Sequence, residues 1–321
     1  SGSWSQLGSD IDGEAGSDNS GRSVSMNAAG DRVAIGAYSN DGAASNAGHV
    51  RVYQLKPGPP IMIITATDGS NAVADGATTN DATLTVTFTA SAATTNFAAG
   101  DITVSGGAIS NFAATSSTVY TATFTPSSAG ATTIDVAANT FTNAEGKNNI
   151  ALTQFNWTYD NVAPTMTVTA TDGSNAVSDG ATTNDGTLTV TFTSSEATSN
   201  FAAADITVSG GAISNFAATS STVYTATFTP SSQGATTIDV AGNTFTDAAG
   251  NNNTAATQFN WSYDSVEPTI SSVSLANNNA TIAVTMSEAV YNTSNGSGAL
   301  ESADFAFSIS GGVATLSSAT P

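Results

Sequence analysis

The sequence has 321 residues, no cysteine, a single histidine and a formal net charge of −20, with 25 acidic side chains against 5 basic ones. Disulfide bonds and thiol chemistry are therefore excluded, and one imidazole leaves almost no material for a histidine-built metal centre or a Ser-His-Asp active site. All five basic residues lie within the first 147 positions, so the rest of the chain carries acids alone. This balance argues against binding to nucleic acid or an anionic membrane, and it favours secretion into salty or divalent-rich surroundings.

Residues 1–54 form the first predicted domain, a small antiparallel β-meander. Short alternating segments such as Arg32–Ala37 and His49–Tyr53 are separated by clusters of Gly, Asn, Asp and Ser, which favour turns. The loop at residues 10–19 is interpreted as solvent-exposed, and its acids are Asp10, Asp12, Glu14 and Asp18.

Three stretches of this domain resemble one blade of the integrin-type β-propeller repeat: Ser20–Val24, Val33–Ala37 and Gly48–Tyr53. The sequence departs from that family at Tyr38, where a proline usually follows Ile-Gly-Ala. The loop at residues 10–19 is only loosely similar to the calcium loop of that family, which is the alternative to a solvated loop. The resemblance implies that this segment packs against neighbouring blades or another body, because a single blade cannot close a propeller.

A repeat of 104 residues organises the rest of the chain. Residues 55–59 form a Pro/Gly linker, and residues 60–163 and 164–267 then differ from each other at only 19 of 104 positions. Period-2 alternation rich in Thr, Val, Ile and Phe predicts about seven short strands per copy, the pattern of an antiparallel sandwich. In the second copy we place these strands near residues 165–170, 187–193, 205–209, 212–216, 222–229, 236–240 and 258–263.

The side chains expected to point into the sandwich core are mostly aliphatic or aromatic. They are Val168, Leu188, Val190, Phe192, Ile206, Val208, Phe216, Val223, Phe228, Ile238, Val240 and Trp261.

Residues 268–321 repeat the first part of the pattern in diverged form. Met286-Ser287-Glu288 corresponds to the end of the second predicted strand, and Asp304–Gly312 echoes Asp205–Gly211. We expect this partial domain to expose strand edges and apolar side chains.

Four motifs of the second copy resemble the bacterial immunoglobulin-like repeats of giant secreted or surface adhesins. In chain order they are Thr191–Glu196, Ala204–Gly211, Tyr224–Pro230 and Phe245–Asn251. The resemblance implies an all-β chain of tandem immunoglobulin-like sandwiches, a spacing and presenting role without catalysis, and often calcium at the joints between domains.

One group of carboxylates carries chemistry of its own. In a sandwich of this topology Glu196, Asp247 and the linker acid Asp160 are expected at the pole where the chain enters the second copy, with Asn251 as a further oxygen donor. Three carboxylates about 5 Å apart repel by roughly 3 kcal/mol per pair at an effective dielectric near 20. No Lys or Arg follows Lys147, so we predict Ca²⁺ as the counter-ion, since oxygen-only ligands suit it.

The first copy supplies an internal control for this hypothesis. Ala92 stands in place of Glu196, Asn143 in place of Asp247 and Lys147 in place of Asn251, and its linker has no acid. At the next joint Asp264 and Glu288 restore two of the acids, so a second, weaker calcium site is predicted there. The alternative is that all these acids belong to solvated loops. Asp172, Asp179 and Asp185 are favoured as turn formers, with a contribution to the second joint as the alternative.

The sequence favours a non-catalytic spacer segment of a large extracellular or cell-surface bacterial protein. The alternatives are a subunit of a self-assembling filament completed by strand exchange, and a glycan- or protein-binding module. Expected partners are neighbouring domains of the same chain and further copies of it, not nucleic acid. No segment approaches the apolar length of a membrane helix, and no signal peptide opens the chain, so Ser1 is expected to lie inside a longer protein.

Overall fold

The structure is a computed structural model. It describes residues 11–310 apart from positions 29, 43, 55–57, 152, 279–280, 294–296, 307 and 309. Asp10, the first part of the linker and the end of the partial domain therefore lie outside the described residues. The chain divides into two compact units: Ser1–Val162 together with Ala248–Asn251, and Ala163–Asp247 together with Asn252–Pro321. The domain limits expected from sequence remain a prediction.

The described residues form an all-β protein with only three single-turn 3₁₀ segments. In chain order the strands are β1 (Ser20–Met26), β2 (Arg32–Ala37), β3 (His49–Gln54), β4 (Met62–Thr67), β5 (Ala72–Val73), β6 (Ala77–Thr79), β7 (Leu84–Ala90), β8 (Ile102–Ser105), β9 (Gly107–Ala114), β10 (Val119–Pro126), β11 (Gly130–Val136), β12 (Phe155–Tyr159), β13 (Met166–Thr171), β14 (Ala176–Val177), β15 (Ala181–Thr183), β16 (Leu188–Ser194), β17 (Ile206–Ser209), β18 (Gly211–Ala218), β19 (Val223–Pro230), β20 (Gly234–Val240), β21 (Phe259–Tyr263), β22 (Ile270–Leu275) and β23 (Ile282–Met286).

Residues 60–163, the first module, and residues 164–267, the second module, repeat one sandwich topology. Each has a five-stranded sheet, ordered β5-β4-β7-β10-β9 or β14-β13-β16-β19-β18. Each also has a four-stranded sheet, ordered β6-β12-β11-β8 or β15-β21-β20-β17. Pairing is antiparallel except where the last strand of each module runs parallel to a three-residue strand. The tandem sandwich predicted from alternation is confirmed.

The core of each module lies between its two sheets and is dominated by large aromatic and aliphatic side chains. Leu188, Val190, Phe192 and Phe228 are fully buried in the second module, as the alternation predicts. Trp261 is 2% exposed, and its indole N–H donates to the hydroxyl of Thr183 at 3.0 Å. The indole N–H of Trp261 therefore has a hydrogen-bond acceptor although the ring lies in an apolar core.

Several core predictions were wrong in detail. Val223 and Phe228 were both expected inside, but they have opposite parity on β19, and the buried face carries Tyr224, Ala226 and Phe228. Val223 is only half-buried, because successive side chains of a strand point to opposite faces and only one face of β19 is turned to the core. Val168, Ile206, Val208 and Phe216 are likewise half-buried, packed against the edge of the core.

The loops contribute core residues that the strand pattern did not reveal. Phe201 and Phe245 lie outside the strands, yet their exposed fractions are 5% and 1%. Phe201 makes edge contacts with Tyr224 and Phe245, at centroid distances of 5.0 Å and 5.2 Å. The tyrosine hydroxyl donates to the Thr198 carbonyl oxygen at 2.7 Å, which fixes the loop over the core.

The predicted meander is present as a three-stranded antiparallel sheet, ordered β1-β2-β3. Its resemblance to a propeller blade remains a prediction. The preceding loop is not wholly solvated as expected: Asp18 is only 5% exposed and accepts hydrogen bonds from the Asn40 amide at 2.8 Å and the Ala15 N–H at 3.1 Å. The Asp18 carboxylate is therefore hydrogen-bonded by protein groups, whereas the sequence predicted that it would be solvated by water.

The partial module, residues 268–321, forms the two-stranded sheet β22-β23 in its described part. Ile270, Val273 and Leu275 on β22 are more than half exposed, as predicted for half a sandwich. Its register matches that of the complete modules, since Thr269 and Ser287 exchange the hydrogen bonds made by Thr165 and Ser195. Glu288 is thus the structural counterpart of Glu196.

Candidate functional site

Two loops of the second module are tied together at one end of the sandwich. The first, residues 195–205, follows β16, and the second, residues 241–258, follows β20. The Asn200 side chain joins them, because its Oδ1 accepts the Thr246 N–H at 3.1 Å and its Nδ2 donates to the Thr246 hydroxyl at 3.2 Å. Together with the Phe201–Phe245 contact, this bond sets the spacing of the acids that these loops carry.

The second loop is shaped from inside by Asn253, which is 2% exposed. Its Oδ1 accepts the N–H groups of Thr244 at 2.8 Å and Phe245 at 3.0 Å, and its Nδ2 donates to the Ala241 carbonyl oxygen at 2.8 Å. Asn149 makes the equivalent bonds in the first module. These asparagines carry no distinguishing signal in the sequence, because all but 19 of the 104 aligned positions are identical in the two copies.

Glu196 and Asp247, predicted to be neighbours, are brought together within the second unit. Their carboxylate oxygens lie within 4.8 Å of each other. Asp247 is 6% exposed and Glu196 is half-buried. A buried acid beside a second acid requires a compensating donor or cation, because removing charge from water is costly. The metal-binding role of the pair remains a proposal.

Asp160 and Asn251, the other two predicted ligands, are assigned to the first unit. The Asn251 amide donates to the backbone carbonyl oxygen of Asp160 at 3.0 Å. The Asp160 carboxylate accepts the Val162 N–H at 3.0 Å, and its own N–H donates to the Thr79 carbonyl oxygen. These bonds hold the backbone around Asp160 at the end of β12, so the position of its carboxylate is well defined.

The first module has a different arrangement at the corresponding position. Asn143, 4% exposed, replaces Asp247, and its Nδ2 donates to the Gly58 carbonyl oxygen at 3.1 Å. Its Oδ1 accepts the N–H groups of Glu145 at 3.1 Å and Lys147 at 2.9 Å. Here an amide N–H connects the loop directly to the linker. A carboxylate could not make this bond, because it has no hydrogen to donate.

Asp264 and Glu288, the weaker predicted pair, both lie in the second unit. Asp264 accepts the Val266 N–H at 3.1 Å and the Gln233 amide at 3.2 Å. Oε1 of Glu288 is buried and has no hydrogen-bond partner among the described residues. A buried acceptor of this kind is costly unless a donor or a cation satisfies it.

The turn interpretation is correct for Asp172. Its carboxylate accepts the backbone N–H groups of Ser174 and Asn175 at 2.6 Å each, and these bonds, with the Asn175 amide, lower its pKa from the usual 3.8. Asp179 instead accepts the Asn260 N–H at 2.7 Å and so attaches its turn to β21. The carboxylates of Asp172 and Asp179 therefore bind backbone N–H groups of their own turn or of β21, and they are not among the candidate metal ligands.

A family model described as bacterial Ig-like domain matches residues 65–159 and again residues 160–263, which is more than half of the chain. The chain belongs to the bacterial Ig-like domain family. Its two bacterial Ig-like modules are the two sandwiches described above. No match is found among curated proteins.

Solved structures similar to this bacterial Ig-like chain include three with low sequence identity. Yersinia pseudotuberculosis InvD is 16% identical, with a TM-score of 0.30, and the match covers 68% of this chain and 62% of InvD. Invasin, described as a bacterial integrin-binding protein, is 16% identical, with a TM-score of 0.39, and the match covers 80% of this chain and 53% of invasin. The Escherichia coli adhesin FdeC is 14% identical, with a TM-score of 0.34 and coverage of 72% and 73%. The chain thus spans about half to three-quarters of these structures.

The described part of this bacterial Ig-like chain contains no helix long and apolar enough to cross a membrane.

Proposed function

We propose that this chain is a non-catalytic spacer segment of an extracellular or cell-surface bacterial protein of the adhesin type. Its support is the tandem repetition of one bacterial Ig-like module with 19 differences in 104 positions. Fifteen of those differences fall outside the strands, and four fall within them. Repetition of this kind adds length without altering the unit, which is what spacing requires.

The proposal extends to calcium as the element that stiffens the joint between the two modules. The observation that carries it is the Glu196–Asp247 pair: two carboxylates within 4.8 Å, one of them 6% exposed, in a stretch of chain without Lys or Arg. Asp160 would supply a third carboxylate and Asn251 an amide oxygen. Such an all-oxygen set suits Ca²⁺, which neutralises the acids and needs no nitrogen or sulfur ligand.

The contrast with the first module supports the same proposal. Ala92 and Asn143 replace the two acids there, and the Asn143 amide already bonds to the linker. Asp264 and the buried oxygen of Glu288, which has no partner within the described ranges, would give the next joint a related but poorer ligand set. Calcium would then act at the second and third module entries, while the first entry works without it.

Interdomain distances measured with and without chelator test this proposal. Paired spin labels on the first and second modules are expected to give a narrow distance distribution with calcium and a broad one with EDTA. Glu196→Ala should abolish the difference without unfolding either sandwich. Glu145→Ala removes the same charge from an exposed loop and is the matched control. An unchanged response in Glu196→Ala would overturn the calcium site but leave the spacer proposal standing.

A second candidate function, a filament subunit completed by strand exchange, is favoured by one observation. Ile270, Val273 and Leu275 remain more than half exposed on a two-stranded sheet, so β22-β23 offers apolar surface and an open edge. Light scattering on the purified chain separates the candidates, since a spacer is expected to be monomeric and a filament subunit to grow with concentration.

A further inference from the structure

A β-bulge in β1 directs Arg22 out of the regular pairing of the meander. Ser20 pairs with Ala37 and Ser23 with Gly36, so Gly21 and Arg22 are extra residues opposite β2. Gly21 has φ +83°, a left-handed backbone that glycine adopts without steric cost. Bulges of this kind re-aim a side chain, and here the re-aimed side chain is an arginine.

The Arg22 guanidinium lies over the ring of Tyr38. Its Cζ is 5.2 Å from the ring centroid, and Nη1 is 3.5 Å from the tyrosine hydroxyl. Within the described part of the chain no carboxylate lies within ion-pair distance of this arginine. In a protein with 25 acids and 5 bases, a stacked cation without an acid partner among the described residues is unusual, and the Arg22 side chain is exposed and has five N–H donors to offer.

Arg22 and Tyr38 form one side of an open pocket of about 540 Å³. Two glycines line it at points where the protein leaves no room for a side chain. A Cβ on Gly36 would lie 2.2 Å from the Ser23 hydroxyl, and Gly48, at φ +67°, would place a Cβ 3.0 Å from the Tyr38 carbonyl oxygen. The volume falls within the range of small-molecule sites.

One acid beside this pocket, Glu14, is already engaged. Glu14 forms an ion pair with Arg51, and one of its oxygens lies 3.8 Å from Nδ1 of His49, which lines the pocket. The Arg51 charge therefore offsets that of Glu14 at the rim, and Arg22 supplies the positive charge inside.

We infer that this pocket binds a sugar bearing one carboxylate, with Arg22 pairing with the carboxylate and the Tyr38 ring contacting the sugar. A guanidinium presents paired donors that match the two oxygens of a carboxylate. Tyr38 is 57% exposed, which leaves apolar ring surface for the sugar. A densely charged polyanion is disfavoured, because the chain as a whole carries a net charge of −20 and repels it.

Titration of the full chain with three probes tests the inference: methyl glucuronide, the neutral methyl glucoside, and acetyl-glutamate amide as a carboxylate without a sugar. NMR chemical-shift changes are expected in the meander, with the glucuronide binding at least about tenfold more tightly than the glucoside, as the loss of a charged hydrogen bond implies. Arg22→Gln should remove this preference. Arg32→Gln makes the same charge change at the far end of β2 and should retain it.

The Tyr38 variants separate the two contacts. Tyr38→Phe keeps the ring and should keep glucuronide binding, whereas Tyr38→Ala should weaken both glycosides. The inference is overturned if no probe binds up to the millimolar range, if the two glycosides bind equally, or if Arg22→Gln behaves like Arg32→Gln. Equally tight binding of acetyl-glutamate amide overturns the assignment to a sugar.

Discussion

The side-chain amide of Asn143 donates a hydrogen bond of 3.1 Å to the carbonyl oxygen of Gly58, in the segment that leads into the first module. At the same time its Oδ1 accepts two N–H groups of its own loop. Both ends of the amide are therefore in use at a site that is 4% exposed. The aspartate at the equivalent position of the second module can accept loop N–H groups but has no donor for a carbonyl oxygen while it is ionised.

Asn143→Asp is expected to destabilise the first module by about 1–3 kcal/mol, because the Gly58 carbonyl loses its donor and faces a carboxylate instead. Urea denaturation followed by tryptophan fluorescence measures the change. Asn139→Asp is the matched control, since Asn139 is exposed, adopts a φ of +64° that aspartate tolerates, and undergoes the same charge change. Equal effects of the two variants would contradict the role given to the Gly58 bond.

Thr79→Val is expected to cost about 1–3 kcal/mol, because it leaves the buried indole N–H of Trp157 without an acceptor. The donor and the threonine hydroxyl are 3.0 Å apart, and the indole ring is 1% exposed. Thr78→Val, on the same short strand but exposed, should change the free energy of unfolding by less than about 0.5 kcal/mol. Thermal unfolding of both variants gives the comparison, and a destabilised Thr78→Val would show that the strand itself, not the hydrogen bond, is sensitive.

The sandwich could be predicted because most of its strands alternate between Thr or Ser and large apolar residues. Leu188, Val190 and Phe192 were assigned correctly on that basis. The short strands β14 and β15 escaped prediction, since two or three residues do not display a period. The burial of Phe201 and Phe245 was not predicted for a related reason. Both lie in loops, where burial depends on tertiary contacts that a local sequence pattern does not show.

The candidate metal residues were found by a different signal, the contrast between two nearly identical copies. Comparing them isolated Glu196 and Asp247, which the structure indeed brings together. The comparison of the two copies did not reveal that Asn143 bonds to Gly58. A difference in sequence shows that the carboxylate is replaced by an amide, but it does not show which group the amide contacts. The Arg22–Tyr38 stack was also missed, since a β-bulge changes which residues face each other without leaving a sequence period.

The Asp172 carboxyl is expected to titrate below its usual pKa of 3.8, because it accepts the backbone N–H and side-chain amide of Asn175 and the N–H of Ser174. Its folded pKa is thus lower than its unfolded pKa. Its contribution to stability is therefore complete above the unfolded value and is lost as pH falls through the folded one. Carboxyl NMR titration checks this directly, and Asp68, with the same partners in the first module, serves as an internal replicate. A pKa for either residue at or above that of a peptide aspartate would contradict the assignment.

Asp247→Asn is expected to act in opposite directions with and without calcium. Without the ion, it removes one of two carboxylates within 4.8 Å and should stabilise the second module by an amount on the order of 1 kcal/mol, since half-exposed Glu196 is screened by solvent. With the ion, it removes a ligand, so the calcium-dependent rise in melting temperature shown by the wild type should disappear. Differential scanning calorimetry in EDTA and in millimolar calcium measures both the stability without the ion and the rise in melting temperature with it.

Asp239→Asn, on β20 of the same module, makes the same charge change away from the loops and should leave the calcium response intact. If Asp247→Asn is destabilised in EDTA, the carboxylate is satisfied by protein donors alone and the metal is not needed to explain its burial.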